Sequence, residues 1–262
     1  MYAVAIVQLR TDVDVEAAAL ASDLGLTAYE ARLALAQGTP ALVTTAAEED
    51  RAAEILSRVR ARGHEAVAIE LSSVVPSGAM VSMRRFRLGE LAMTLDDRPE
   101  VLPYEDIAAV VAAVHRQQTT QETETRDRKF SMGRAVLSGG LVMTKNVTRE
   151  TRTESSEREP VLYLFRRGGE TPWLLRERGT SWAGHGGTVS PTATANFKTT
   201  VDRIRAMAPL APYDDRLVTR RGAPERLTST GGPSNTTTRS SVGGIDLLAH
   251  LIAAWARGGR SR

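Results

Sequence analysis

The stretch Gly25-Leu-Thr-Ala-Tyr-Glu-Ala-Arg-Leu-Ala-Leu-Ala-Gln-Gly-Thr-Pro40 holds a short helix together with its own start and stop signals. Thr27 and Glu30 have the spacing of a capping box, in which the hydroxyl accepts from a first-turn amide and the carboxylate reaches back to the cap. Ala31, Leu33, Ala34 and Leu35 continue as helix formers, and Gly38 with Pro40 beyond it ends the run. Upstream, residues 2–9 alternate around Val4 and Ile6 with β-formers, which predicts a first strand, and residues 15–22 read as a second short helix. Downstream, Thr45-Ala-Ala-Glu48 has the form of another capping box opening a helix that carries Ala52, Ile55, Leu56 and Val59 at helical spacing and closes at Gly63. Glu65 to Leu71 then alternates as a half-buried strand, with Val67, Ile69 and Leu71 on one face. The expected order over residues 1–71 is β-α-α-β-α-β.

This module resembles the C-terminal domain of the bacterial ribosomal stalk protein and the fold it shares with the Clp-protease adaptor. The family's Gly-Leu-x-x-x-Glu-Ala-basic motif is matched by Gly25, Leu26, Glu30, Ala31 and Arg32. Pro40 stands where the family has a proline after the second helix, and Ile55 to Ile69, turning at Gly63, is similar to its helix-Gly-strand signature. The resemblance covers about a quarter of the chain and implies a small domain whose exposed helix pair docks protein. Tyr29 stands where a lysine is usual and Ala28 where a leucine is usual, so a translation-factor role does not follow.

Residues 72–80, with Ser72-Ser-Val-Val-Pro-Ser-Gly78, have linker composition. A second domain is expected over residues 81–217. Phe86 to Leu95 reads as a hairpin turning at Gly89-Glu90, and Pro160 to Arg167 with Thr171 to Arg176 as a clearer one joined through Gly168-Gly169. Leu102-Pro-Tyr-Glu-Asp-Ile-Ala-Ala-Val-Val-Ala-Ala-Val-His115 fits helix and strand equally by period. A helix is predicted from Ser190, carrying Phe197, Val201, Ile204 and Met207 and stopped by Pro209. Strands followed by one amphipathic helix, with Leu-Pro-Tyr-x-Asp-Ile before a strand, are similar to the bacterial pleckstrin-homology-type barrel; that resemblance implies a binding or assembly platform and favours the strand reading of residues 107–115. A polar insertion, residues 117–159, flanks the apolar patch Phe130 to Met143 and reads as a long exposed hairpin or a mobile segment.

The net charge of +3 is unevenly placed. From Arg216 onward there are eight arginines and two acids, so the tail is basic and the rest slightly acidic. Residues 218–244 have almost no large apolar side chain and are expected to be a disordered basic linker, able to touch nucleic acid nonspecifically or merely to keep the segment solvated. Residues 245–257 follow as an amphipathic helix in which Ile245, Leu248, Ile252 and Trp255 form a stripe and Asp246 and His250 a polar edge. Such a helix docks on its own domain, in a groove of another protein, or on a membrane surface, and it is too short to span a bilayer.

Catalytic signals are thin. The chain has no cysteine, which excludes thiol nucleophiles, thiolate metal sites and disulfides. Gly133 to Gly140 lacks the Gly-Lys-Ser/Thr end of a phosphate loop. The four histidines, His64, His115, His185 and His250, share no metal-ligand spacing, and His185 among glycines is the one lone candidate for proton transfer. Asp214 and Asp215 are adjacent in sequence and read as a salt-bridge cluster with Arg216. The start of the chain lacks the basic leader and apolar core of a secretory signal, so a cytoplasmic location is expected. The sequence thus predicts an α+β protein without cofactor or metal, acting as a non-catalytic interaction or adaptor protein. Tyr29 and Arg32 on the helix pair and Leu248, Ile252 and Trp255 on the terminal helix are its candidate protein-binding residues. The alternative is a nucleic-acid-associated protein working through the arginine-rich tail.

Overall fold

In a computed structural model the described residues are 1–130, 144–184, 189–220, 222–230 and 234–258. The protein is α+β, with a curled half-barrel sheet and a terminal helix. The chain divides into two compact units, Met1–His115 with Arg158–Pro224 and Ser241–Arg262, and Arg116–Glu157 with Glu225–Ser240.

The first unit opens with the expected β-α-α-β-α-β run: β1 Tyr2–Gln8, α1 Val13–Leu24, α2 Ala28–Ala36, β2 Ala41–Ala46, α3 Glu49–Ala61 and β3 Glu65–Glu70. The three strands form an antiparallel sheet of order β2-β1-β3. The capping box at α2 is complete: Thr27 Oγ1 accepts from the Glu30 amide, and Glu30 accepts from the Thr27 amide at 2.8 Å. The second box does not form. Thr45 lies inside β2, and α3 begins after Glu48, which makes no side-chain cap bond. A β-branched residue in an alternating run pairs as strand before it can cap a helix.

Every side chain from Ala3 to Val7 is fully buried, so β1 is covered on both faces. Val4 and Ile6 meet Leu20, Leu35, Ile55 and other residues of the three helices. Ala5 and Val7 face the opposite way, into a core with Val111, Tyr163, Phe165 and the last helix of the chain, α6. That helix spans Val242–Gly258, and Ile245, Leu248, Leu251 and Ile252 are among its buried residues. One core therefore joins the N-terminal sheet, the half-barrel and the terminal helix.

The remaining strands of this unit are β4 Val81–Ser82, β5 Phe86–Leu88, β6 Ala92–Leu95, β7 Val101–Pro103, the inner parts of β8 Ile107–Phe130 and β9 Thr144–Arg166, β10 Trp173–Arg176 and β11 Tyr213–Asp215. Strands β5, β6 and β7 make a small antiparallel sheet. The run 107–115 is strand throughout; Ala108 to Ala113 are all buried, because the strand is covered on both faces. Helix α4, Ala193–Met207, packs Val201 and Ile204 on a second core with Phe86, Leu162 and Trp173. Asn196 bonds both the amide and the carbonyl of Ser190, which fixes the approach to α4. A four-residue helix, α5, follows at Arg216–Thr219.

The second unit is built from the outer parts of β8 and β9 with β12 Arg226–Thr230 and β13 Ser234–Ser240, in the order β12-β13-β8-β9. Thr238 pairs with Thr119 and Thr237 with Thr120. Residues 226–230 and 234–240 are thus strands where composition alone suggests a linker. Threonine is a strand former, and a paired edge satisfies backbone groups without needing a core. Residues 131–143, most of the apolar patch with the glycine run 133–140, lie outside the described residues.

Candidate functional site

Two sets of side chains are candidates for function, and the structure treats them in opposite ways. On α2, Tyr29 and Leu33 are one turn apart and therefore on one face; they are 74% and 51% exposed. Arg32 reaches across to α1, its Nε 2.9 Å from Asp14 Oδ1, and Val15 beside that pair is 63% exposed. The opposite face of α2, with Ala31 and Leu35, is buried. The helix pair thus turns one apolar stripe into the core and leaves a second, framed by an ion pair, outside.

The candidates on α6 point the other way. Leu248 and Ile252 are buried in the shared core. Trp255 is partly buried against the same core, and its indole Nε1 donates to Glu65 Oε2 at 2.6 Å. The stripe read from the sequence is real, and this chain's own sheets occupy it.

Beneath that helix sits a buried polar cluster that joins four distant segments. The Asp246 carboxylate accepts from the Ser77 amide at 2.8 Å, from the Ser77 hydroxyl, and from the Tyr163 hydroxyl at 2.7 Å. Tyr163 oxygen lies 2.6 Å from His115 Nε2, so with its proton given to Asp246 it accepts from the imidazole. One turn along α6, His250 Nε2 accepts from the Val75 amide at 3.1 Å and Nδ1 donates to the Asp246 carbonyl at 2.8 Å. The residues expected to be a linker, 72–80, are therefore clamped to the last helix through Val75 and Ser77. Burial lowers the His115 pKa to about 4, with Arg176 acting in the same direction and the Asp246 charge opposing. His250 is also lowered, chiefly by burial. Burial and then the neighbouring Asp246 carboxylate raise the Tyr163 phenol well above its ordinary range.

Serine, histidine and aspartate are all present, yet their order is unlike that of an activated nucleophile. Ser77 donates to the acid rather than to an imidazole, and the imidazole partners a tyrosine. Ser77, His115, Tyr163 and Asp246 are all buried, and none of them lines the cleft beside Arg10 and Trp255 or the one beside Leu33 and Arg220. The cluster locks the helix in register. Sequence reading separates His115 from His250 and treats Asp246 as a polar edge; the usable signal was an i,i+4 Asp-His pair on a helix apolar almost all round, which marks a buried helix with internal polar partners.

A second network holds the N-terminal module. Glu16, 2% exposed, accepts from Arg62 Nε at 2.6 Å and lies 3.0 Å from His64 Nε2. Burial alone would raise its pKa, but the bonds from Arg62 and His64 outweigh it and hold the carboxyl below its ordinary value. In the basic tail, Arg216 pairs with Asp214, Arg220 is buried against backbone carbonyls, and Arg257 donates to the Arg166 carbonyl. His185 lies outside the described residues. Among the described residues no group of three or more histidines and carboxylates is placed to hold a metal ion, and no helix is long and apolar enough to cross a membrane. Comparison with family models, with curated proteins and with solved structures finds no significant match to this chain.

Proposed function

We propose that this is a non-catalytic interaction protein of the cytoplasm that docks another protein on the outer face of α1 and α2, with Tyr29 and Leu33 as the apolar anchors and Arg32 at their edge. The observation that carries this reading is the contrast between the two candidate surfaces. The apolar stripe of α6 is consumed inside the chain, whereas Tyr29 and Leu33, an aromatic and an aliphatic residue one turn apart, are left in water. Tyrosine supplies a large contact area at small entropic cost, and arginine adds a directed charge, a composition found at the energetic centres of interfaces. The resemblance to the ribosomal stalk domain implies the same helix pair as the docking element.

The test places a photo-cross-linking residue at position 33 and, as a control, at position 91, which is exposed at the β5–β6 hairpin. In the native cell the reading expects one discrete protein adduct from position 33, lost when Tyr29→Ala is added. Identical adducts from both positions, or none from position 33, would end it.

A further inference from the structure

Arg220 is the most buried guanidinium that lacks a carboxylate among the described residues. The side chain is buried, with 9% of the residue exposed, and it takes part in no ion pair there. Its Nη1 donates to the carbonyls of Gly38 at 2.6 Å and Pro40 at 2.9 Å, and its Nε to the carbonyl of Gly222 at 2.5 Å. The carbonyls are neutral dipoles, so the charge is solvated by protein without being balanced. Arg216, the cation that acts on it, is already matched by Asp214 and also donates to Val7 O and Thr39 Oγ1. Burial, reinforced by Arg216, lowers the Arg220 pKa, the direction expected of a cation short of an anion.

Arg220 opens onto a cleft of about 690 Å³ between the end of α2 and α5, within the size range of small-molecule sites. Its Nη2 donates to no described residue, and the Thr219 hydroxyl beside it likewise makes no bond among them. Leu33 and Ala36 form the apolar wall. The cleft thus brings a buried guanidinium and a threonine hydroxyl into one lining with a short apolar wall.

We infer that this cleft binds an aliphatic carboxylate, its oxygens held by Arg220 Nη2 and Thr219 and its side group against Leu33 and Ala36. The shared chemistry belongs either to a free short-chain acid or to the C-terminal carboxylate of a peptide ending in an aliphatic residue. Nε and Nη1 are held by carbonyls, so Nη2 is the nitrogen left to give the acid a charge-assisted hydrogen bond. The cleft shares Leu33 with the proposed docking face but not Tyr29, so Tyr29→Ala, which should leave acid binding unchanged, separates the two.

The test is a nuclear magnetic resonance titration of the full chain, observing the Arg220 side-chain Nε–H and the amides of Gly38, Thr219 and Gly222. The probes are 4-methylpentanoate, the peptide acetyl-Gly-Gly-Ala-Leu with a free carboxylate, and the same peptide as its amide. Saturable shifts confined to these signals are expected from one or both acids, with the amide at least tenfold weaker; which acid binds more tightly identifies the source. Arg220→Gln should weaken binding at least tenfold. Because that change also touches the Gly38 and Pro40 carbonyls, Leu33→Asp provides a second variant on an exposed position, expected to weaken binding similarly while leaving thermal unfolding unchanged. No shift at millimolar acid, equal response to acid and amide, or undiminished binding in the folded Leu33→Asp chain would overturn the inference.

Discussion

At the scale of single residues, Asp246 ties the terminal helix to Ser77 and Tyr163. Its carboxylate accepts three hydrogen bonds in a site 1% exposed, from two groups of Ser77 and one of Tyr163. Asp246→Ala leaves all three donors unmatched in the core, and the expected loss is about 3–5 kcal/mol of stability, read from urea unfolding. His115 adds a dependence on pH. Its folded pKa of about 4 lies below the ordinary 6.5, so the unfolded chain binds the extra proton first. The contribution of His115 is therefore fully present above about pH 6.5, declines as pH falls and levels off below about pH 4, with a total near 3 kcal/mol. The groups facing it are Asp246, Tyr163 and Arg176. Thermal melts between pH 4 and 7 should show this slope, steepened by His250, and a folded His115→Gln chain should show a shallower one. Glu16 acts at lower pH: its depressed pKa gives stability that is present above about 4.5 and is lost as the carboxyl protonates.

At the scale of elements, α6 shows how a local rule reverses in context. Glycine inside a helix normally costs about 1 kcal/mol relative to alanine. Gly244, in the first turn, lies so close to Pro224 that a Cβ built there would stand 2.1 Å from its carbonyl oxygen, a backbone atom that cannot swing aside. Gly244→Ala is thus expected to destabilise by about 1–3 kcal/mol, and a gain in melting temperature would contradict this packing. The same contrast governs what could be read in advance. The capping box of Thr27 and Glu30, the turn at Gly63 and the hairpin before Arg176 were legible because their signals are local. Thr45 misled, since a valid cap pattern sat inside a strand whose partner, β1, lies some forty residues away. The polar strands β12 and β13 were invisible because their pairing, not their composition, makes them strands. The exposed face carrying Tyr29 could be read from helix spacing, while the burial of Arg220 could not, because its carbonyl partners Gly38 and Pro40 lie far away in sequence.

For the first compact unit as a whole, the decisive fact is that the last helix is not an arm. Ile245, Leu248, Leu251 and Ile252 complete a core with β1, β3, β8 and β9, and each such side chain is worth about 1.5–3 kcal/mol when buried. Together they rival the entire net stability of an ordinary domain, so α6 belongs to the folding unit. The docking face proposed above is therefore placed on the exposed side of α1 and α2 and not on α6. Hydrogen–deuterium exchange of the full chain tests this most directly. The central amides of α6 should exchange only through global unfolding, with the same free energy and the same urea dependence as those of β1. If α6 exchanges at a much lower free energy while β1 stays protected, the helix opens on its own and the assignment of its apolar stripe to the core is wrong.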